Sequence, residues 1–129
     1  MMTYTINGKE WTEDDINLRC AELYLPCDYI INENDNSIDL IGVQTWLGAH
    51  GEPDERTVKY GNYDPCNNPS DTDAIIDKCW DELMTINSVV FDKGIYSSET
   101  EWNQLMDKHN CSKLVAACIC YIEINEAAL

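Results

Sequence analysis

Basic side chains are scarce in this sequence: eight lysines and arginines stand against 24 aspartates and glutamates in 129 residues, for a formal net charge of -16. A nucleic-acid-binding surface needs clustered Lys and Arg to neutralise phosphates and release counterions, so direct nucleic-acid binding falls outside the expected functions. The same shortage argues against anionic membranes. Long apolar runs are missing too, and no segment approaches the ~20 residues that cross a bilayer. The opening MMTYTINGKEWTEDD has neither a basic leading segment nor an apolar stretch, so no secretory signal is expected and the expected location is cytoplasmic. There are no repeats, low-complexity tracts or Pro/Gly/Ser linkers, and the chain reads as one domain.

A hydrophobic share of 44% is enough for a core, and a domain of this length buries roughly two thirds of its unfolded surface. The seven cysteines are Cys20, Cys27, Cys66, Cys79, Cys111, Cys118 and Cys120. Their odd number and the reducing compartment argue for free thiols instead of a disulfide framework. The nearest approach to a zinc pattern is His109-x-Cys111 followed by Cys118-x-Cys120. Structural zinc sites use other spacings, and on a helix Cys118 and Cys120 project about 200° apart. No metal or cofactor is expected, and the thiols read as small apolar core groups.

The element pattern is mixed. Thr12 to Tyr24 reads as a helix, with Thr12 and Asp15 placed as a capping box, Ile16, Cys20, Leu23 and Tyr24 as its apolar stripe, and Pro26 as its stop. CDYIIN and SIDLIG, joined by ENDN, predict a β-hairpin. From Val43 to Asn62 periodicity fades while Gly42, Gly48, Gly51, Pro53 and Gly61 accumulate, which predicts a long surface loop. Trp46 on that loop would anchor it to the core, the preferred reading, or anchor a partner.

INSVVFD predicts a strand ended by Gly94. Ser98 is expected to open a helix with Glu99 and Glu101 in its first turn and Trp102, Leu105 and Met106 on one side. Ser112 caps a last helix, KLVAACICYIEIN, apolar almost all round and therefore central. The expected fold is α+β, with about three strands in a small antiparallel or mixed sheet covered by about four helices.

YDPCNNPSDTDAIIDKCWDEL, residues 63 to 83, carries the densest candidate chemistry. Asn68 before Pro69 fits an N-cap followed by proline at the first helical position, with Asp71 and Asp73 favoured by the helix dipole. Ile75, Ile76, Cys79, Trp80 and Leu83 fall on one side of that helix, and Asp77, Lys78, Asp81 and Glu82 on the other. Asp71 and Asp73 occupy the position a phosphate would take, with no glycine-rich turn or lysine beside them. Counting from Asp64, an EF-hand would need Gly at Pro69 and Glu at Ile75, so that pattern fails. A nucleophilic Cys66 would gain from the helix N-terminus and lose from the carboxylates, and neither His50 nor His109 is near it in sequence.

YDPCNNPSDTDAIIDK resembles the segment of the phage NinX-like family that reads approximately D-x-C-N-N-P-A-D-A-W-P-I-I. SKLVAACICYIEINE is similar to that family's closing N-P-L-R-A-A-M-I-V-F-L-M-M, and TEDDINLRCAELY to its opening L-S-D-x-E-I-N-x-x-V-A-E. The patches cover about a third of the chain, in the family's order. Asp64, Cys66, Asn67, Asn68, Pro69, Asp71, Ile75 and Ile76 stand at family-like positions, whereas Asp73-Ala74 replaces the tryptophan-proline pair and Leu114 or a neighbour replaces the arginine. The resemblance implies an accessory phage or prophage protein, of no established biochemical activity, in the cytoplasm of an infected cell.

Two functional classes follow. The first is a non-enzymatic binder of a host protein, such as a defence effector whose basic nucleic-acid groove attracts an acidic surface. Its candidate contacts are Trp46, Asp73, Asp77, Asp81 and Glu82; the bland alternative for these carboxylates is simple solvation. The second is a small enzyme or a nucleotide- or small-ligand-binding module with Asp64, Cys66, Asn67, Asn68 and Asp71 in its pocket. Asn side chains turned onto backbone groups are caps, and Asn side chains turned into an open apolar pocket are ligand contacts.

Overall fold

A computed structural model describes residues 3–25, 28–90 and 96–127. Its last helix, α5 (Lys113–Ala127), is buried at every position from Val115 to Ile122. Such a helix needs neighbours on all sides. They are α1 (Glu13–Tyr24), α2 (Pro69–Lys78) and α4 (Glu101–His109), which all pack against it. Ala116, Ala117, Cys118 and Cys120 keep the α5 surface shallow, so that the surrounding helices can approach closely. Cys20 of α1, Cys66 before α2 and Cys79 after it are buried in the same core, and the Cys79 Sγ lies 3.8 Å from the Ala117 carbonyl oxygen. The six described cysteines are all free thiols, as their number suggested, while Cys27 and Pro26 lie outside the described residues.

Helix starts follow the capping chemistry. Thr12 Oγ1 accepts from the Asp15 N–H at 3.1 Å, and the Asp15 carboxylate accepts from the Thr12 N–H at 2.9 Å, closing the capping box. Ser112 Oγ accepts from the Val115 N–H at 3.2 Å at the start of α5. The helix expected from Ser98 begins later: Tyr96–Thr100 is strand β7, paired antiparallel with β6 (Ile86–Val90). Thr100 then caps α4 by accepting from the Asn103 N–H at 3.2 Å, and Asn110, at φ 49, ends it in the left-handed region. The remainder of the expected strand, Phe91 and Asp92, and its Gly94 terminator lie outside the described residues.

The helix expected through Leu83 breaks at Cys79, whose φ of -119 and ψ of 22 separate α2 from the short α3 (Trp80–Leu83). Trp80 is consequently half-exposed instead of lying on the buried stripe, and its ring meets Trp102 edge-on at 6.4 Å.

The chain is an α+β domain whose described residues hold three small antiparallel sheets: β1 (Tyr4–Ile6) with β2 (Lys9–Trp11), β3 (Tyr29–Ile31) with β4 (Ile38–Leu47) and β5 (Pro53–Tyr63), and β6 with β7. Seven strands and five helices exceed the three and four expected. The β3–β4 hairpin stands where CDYIIN and SIDLIG placed it, with Ile31 opposite Ile38. The β1–β2 hairpin was not foreseen. Its turn residues Asn7 and Gly8 have φ 53 and 80, the left-handed pair that a tight hairpin turn requires.

The long loop expected over 43–62 is instead a two-stranded ribbon. β4 and β5 pair from Ile38↔Tyr63 to Leu47↔Pro53, leaving only residues 48–52 as the turn, where the Gly48 N–H donates to the Glu52 carbonyl at 2.7 Å. Glycines that look like loop punctuation serve the ribbon. The register shifts between Leu40 and Ile41, leaving Tyr60 as a bulge residue, and a Cβ on Gly42 would stand 2.2 Å from Tyr60 Cε2.

Denatured protein prepared without oxidant should titrate with close to seven thiols. In native protein Cys111, half-buried, should be alkylated ahead of the five fully buried cysteines; a titre of five or fewer would reveal a disulfide.

Candidate functional site

The DPCNNPSD segment folds into a tight turn leading into α2. The Asn67 and Asn68 N–H groups donate to the Asp64 carbonyl at 3.1 and 2.8 Å. Asn68 then caps α2, its Oδ1 accepting from the Ser70 N–H at 3.1 Å, with Pro69 as the first helical residue. Thr72, fully buried, donates its hydroxyl to the Pro65 and Asn68 carbonyls. Asp71 accepts from the Asp64 N–H at 2.9 Å, so its carboxylate serves the turn.

One residue that the sequence reading passed over organises this turn. Asn17 lies on the buried face of α1, 8% exposed. Its amide nitrogen donates to Asp64 Oδ1 at 2.8 Å, and its amide oxygen accepts from the Cys66 N–H at 3.0 Å. Both ends of one side chain are thus committed to a segment 47 and 49 residues away. Asn67 reinforces the link by donating to Glu13 at 3.1 Å and to the Asp64 carboxylate at 3.2 Å. The available signal was an asparagine in an otherwise apolar helical stripe beside Ile16 and Cys20, a position that demands a buried partner.

Asp64, Cys66, Asn67, Asn68 and Asp71 are therefore brought together, and their polar groups bond to the protein itself. The Cys66 thiol is buried, its Sγ 3.8 Å from the Glu13 carbonyl oxygen. The neighbouring Cys118 thiol and burial push Cys66 far above the ordinary thiol range, so the nucleophilic thiolate is suppressed. His50 is on the exposed ribbon turn, and no hydrogen bond among the described residues joins Cys66 to a histidine. Among the described residues no group of three or more His, Cys, Asp or Glu is placed to hold a metal ion.

The acidic candidates lie elsewhere on the surface. Asp73 and Asp77 are exposed on α2, and Asp81 and Glu82 are exposed on α3, so the turn at Cys79 interrupts the single helical row expected for them. The ion pairs among the described residues are Arg19 with Glu22 at 2.9 Å, Arg19 with Glu126 at 2.7 Å, and Lys59 with Asp39 at 3.1 Å. None includes the four candidates. Lys78, the one base on α2, places its ammonium 5.3 Å from the Tyr24 ring centre.

Trp46 does not anchor a loop to the core. It stands on β4, 41% exposed, with the Arg56 guanidinium 5.5 Å from its ring centre and Arg56 in turn donating to Gln44 at 3.3 Å. Two depressions among the described residues lie away from the candidate site residues. One of about 550 Å³ includes Trp11, Arg19 and Glu126; another, of about 480 Å³, includes Tyr4, His109 and Glu123. In the second, burial holds His109 below its ordinary pKa with help from Lys108, and burial raises Glu123.

Compared with protein-family models, with curated proteins and with solved structures, the chain finds no match.

Asn17→Ala should destabilise the protein by roughly 1–3 kcal/mol, because it strands a buried N–H and unties α1 from the turn. Asn68→Ala should cost roughly 0.5–2 kcal/mol as a lost cap. Equilibrium urea unfolding checks both, and no change in the midpoint for Asn17→Ala would refute the clasp. The lowered pKa of folded His109 means that acid favours the unfolded chain, so this residue subtracts stability as pH falls below its unfolded value of 6.5. The melting temperature of His109→Gln relative to the unaltered protein should therefore rise progressively below that pH.

Proposed function

We propose that this chain is a non-enzymatic accessory protein, of phage or prophage origin by its sequence resemblance, that binds a basic host protein in the cytoplasm and competes there with nucleic acid. The observation that carries the proposal is the exposed set Asp73, Asp77, Asp81 and Glu82, without ion-pair partners among the described residues, in a chain of net charge -16. Unneutralised carboxylates along the consecutive helices α2 and α3 generate a field that speeds encounter with a basic groove. Trp80 stands among them half-exposed, held edge-on by Trp102, and supplies the aromatic anchor that a purely charged patch lacks. Trp46 on the ribbon is a second exposed aromatic for the same role.

The commitment of Asn67, Asn68 and Asp71 to structural hydrogen bonds, together with the suppressed Cys66 thiolate, supports a binding role over catalysis at the DPCNNPSD turn.

The test begins with capture of the partner from host lysate, followed by titration with the purified partner and competition by a DNA fragment. Asp77→Lys/Asp81→Lys should weaken binding at least tenfold and flatten its salt dependence, since exposed charges act over only about 8 Å at physiological ionic strength. Unchanged affinity with unchanged salt dependence would sink the acidic-face proposal, as would a partner that holds DNA and this protein together.

A further inference from the structure

We infer that the outer edge of β5 is a self-association surface on which two copies of this chain pair antiparallel, with Thr57 of each copy at the two-fold axis. β5 is terminal in its sheet, so among the described residues no second strand bonds to it, and it is exposed from Pro53 to Thr57 and again at Lys59. An exposed strand edge of this length is a template for another strand.

Charge identifies the second copy as the occupant. β5 holds Asp54 and Glu55 against Arg56 and Lys59, two acids and two bases, and is therefore neutral in a chain of net charge -16. Two copies of so acidic a chain repel, and this strand, whose acids and bases balance, is one along which they need not. The register follows from the two faces of the ribbon. Glu55, Thr57 and Lys59 lie opposite Thr45, Val43 and Ile41, while Asp54, Arg56 and Val58 lie opposite Trp46, Gln44 and Gly42. A two-fold axis perpendicular to the sheet preserves its sides, so each residue must meet one of its own face and the axis must pass midway between one residue and its own counterpart. Centring on Asp54, Glu55, Arg56 or Lys59 sets like charges directly opposite, which is destabilising. Centring on Val58 sets no opposite charges together. Centring on Thr57 places Glu55 of each copy against Lys59 of the other, with Arg56 beside Val58.

The same register aligns apolar surface. Val43, 59% exposed, is the cross-strand partner of Thr57. Pairing forms a row of Val43, Thr57 and their two counterparts across four strands, the β-branched arrangement that stabilises sheets. Lys59 already holds Asp39 at 3.1 Å, so in the pair its ammonium lies between two carboxylates of different copies. This surface is separate from the acidic face of α2 and α3, and the purified chain alone tests it.

Sedimentation equilibrium near 0.15 M salt, where the screening length is about 8 Å, should show a dimer of the 14.7 kDa chain. Glu55→Lys, at an exposed position, should weaken dimerisation at least tenfold, Lys59→Glu should do the same, and Glu55→Lys/Lys59→Glu should restore it. Thr57→Cys should cross-link into a covalent dimer under mild oxidation far faster than Asp54→Cys. A monomeric unaltered protein overturns the inference, whether or not the acidic face binds a partner. Equal association for Glu55→Lys, or no rescue by the double exchange, overturns it too, and a Thr57→Cys that cross-links no faster than Asp54→Cys overturns the register.

Discussion

The burial of α5 on every side is the constraint from which the rest of the body follows. A helix with no polar face cannot lie on a surface, so α1, α2 and α4 are arranged as its cover. Fully burying Val115, Ile119 and Ile122 contributes about 1.5–3 kcal/mol each, and the small residues between them set how near the covering helices come. The abundance of cysteine has its explanation here. A thiol is little larger than a methyl group and more adaptable, and five of the described cysteines fill this packed interface. Neighbouring thiols, Cys118 for Cys66, Cys20 for Cys118 and Cys79 for Cys120, act with burial to push these three upward and keep them neutral, which a dry core requires.

Against that apolar centre the Asn17 clasp is the polar element that fixes relative placement. Hydrophobic packing tolerates small slides of one helix over another, whereas an amide engaged at both ends does not. It ties the middle of α1 to the turn that starts α2. The cluster at Asp64, Cys66, Asn67, Asn68 and Asp71 therefore owes its density of polar residues to the task of closing a buried turn.

Much of the local structure was legible because its causes are local. The Thr12 box, the Asn68 and Ser112 caps and the all-apolar α5 are decided within a few residues, and the structure shows each of them. What sequence reasoning misjudged depends on distant partners. The β4–β5 ribbon looked like a loop because both of its faces are largely exposed, which removes the apolar alternation that marks a half-buried strand. Ser98 was a plausible cap until β6 captured its segment as β7. Asn7-Gly8 was a readable exception, a strong hairpin signal between two short runs that were too brief to stand out. Trp46 was read first as a core anchor and second as a partner anchor, and Trp80 was placed on a buried stripe by its helical spacing; exposure is a property of the assembled surface.

The ribbon also has a consequence for how this chain can vary. It leaves the body and returns to it at one place, where buried Ile38 pairs with buried Tyr63; Leu40 still packs against the core, and from the Val43–Thr57 pair outward both strands are exposed. Removing or adding opposed residues two at a time keeps each side chain on its face, and doubling the length of a connecting segment costs only about 0.6 kcal/mol in closure entropy. The body is thereby insulated from the arm. Its length and tip can drift under selection by whatever they touch while α5 and its cover stay unchanged.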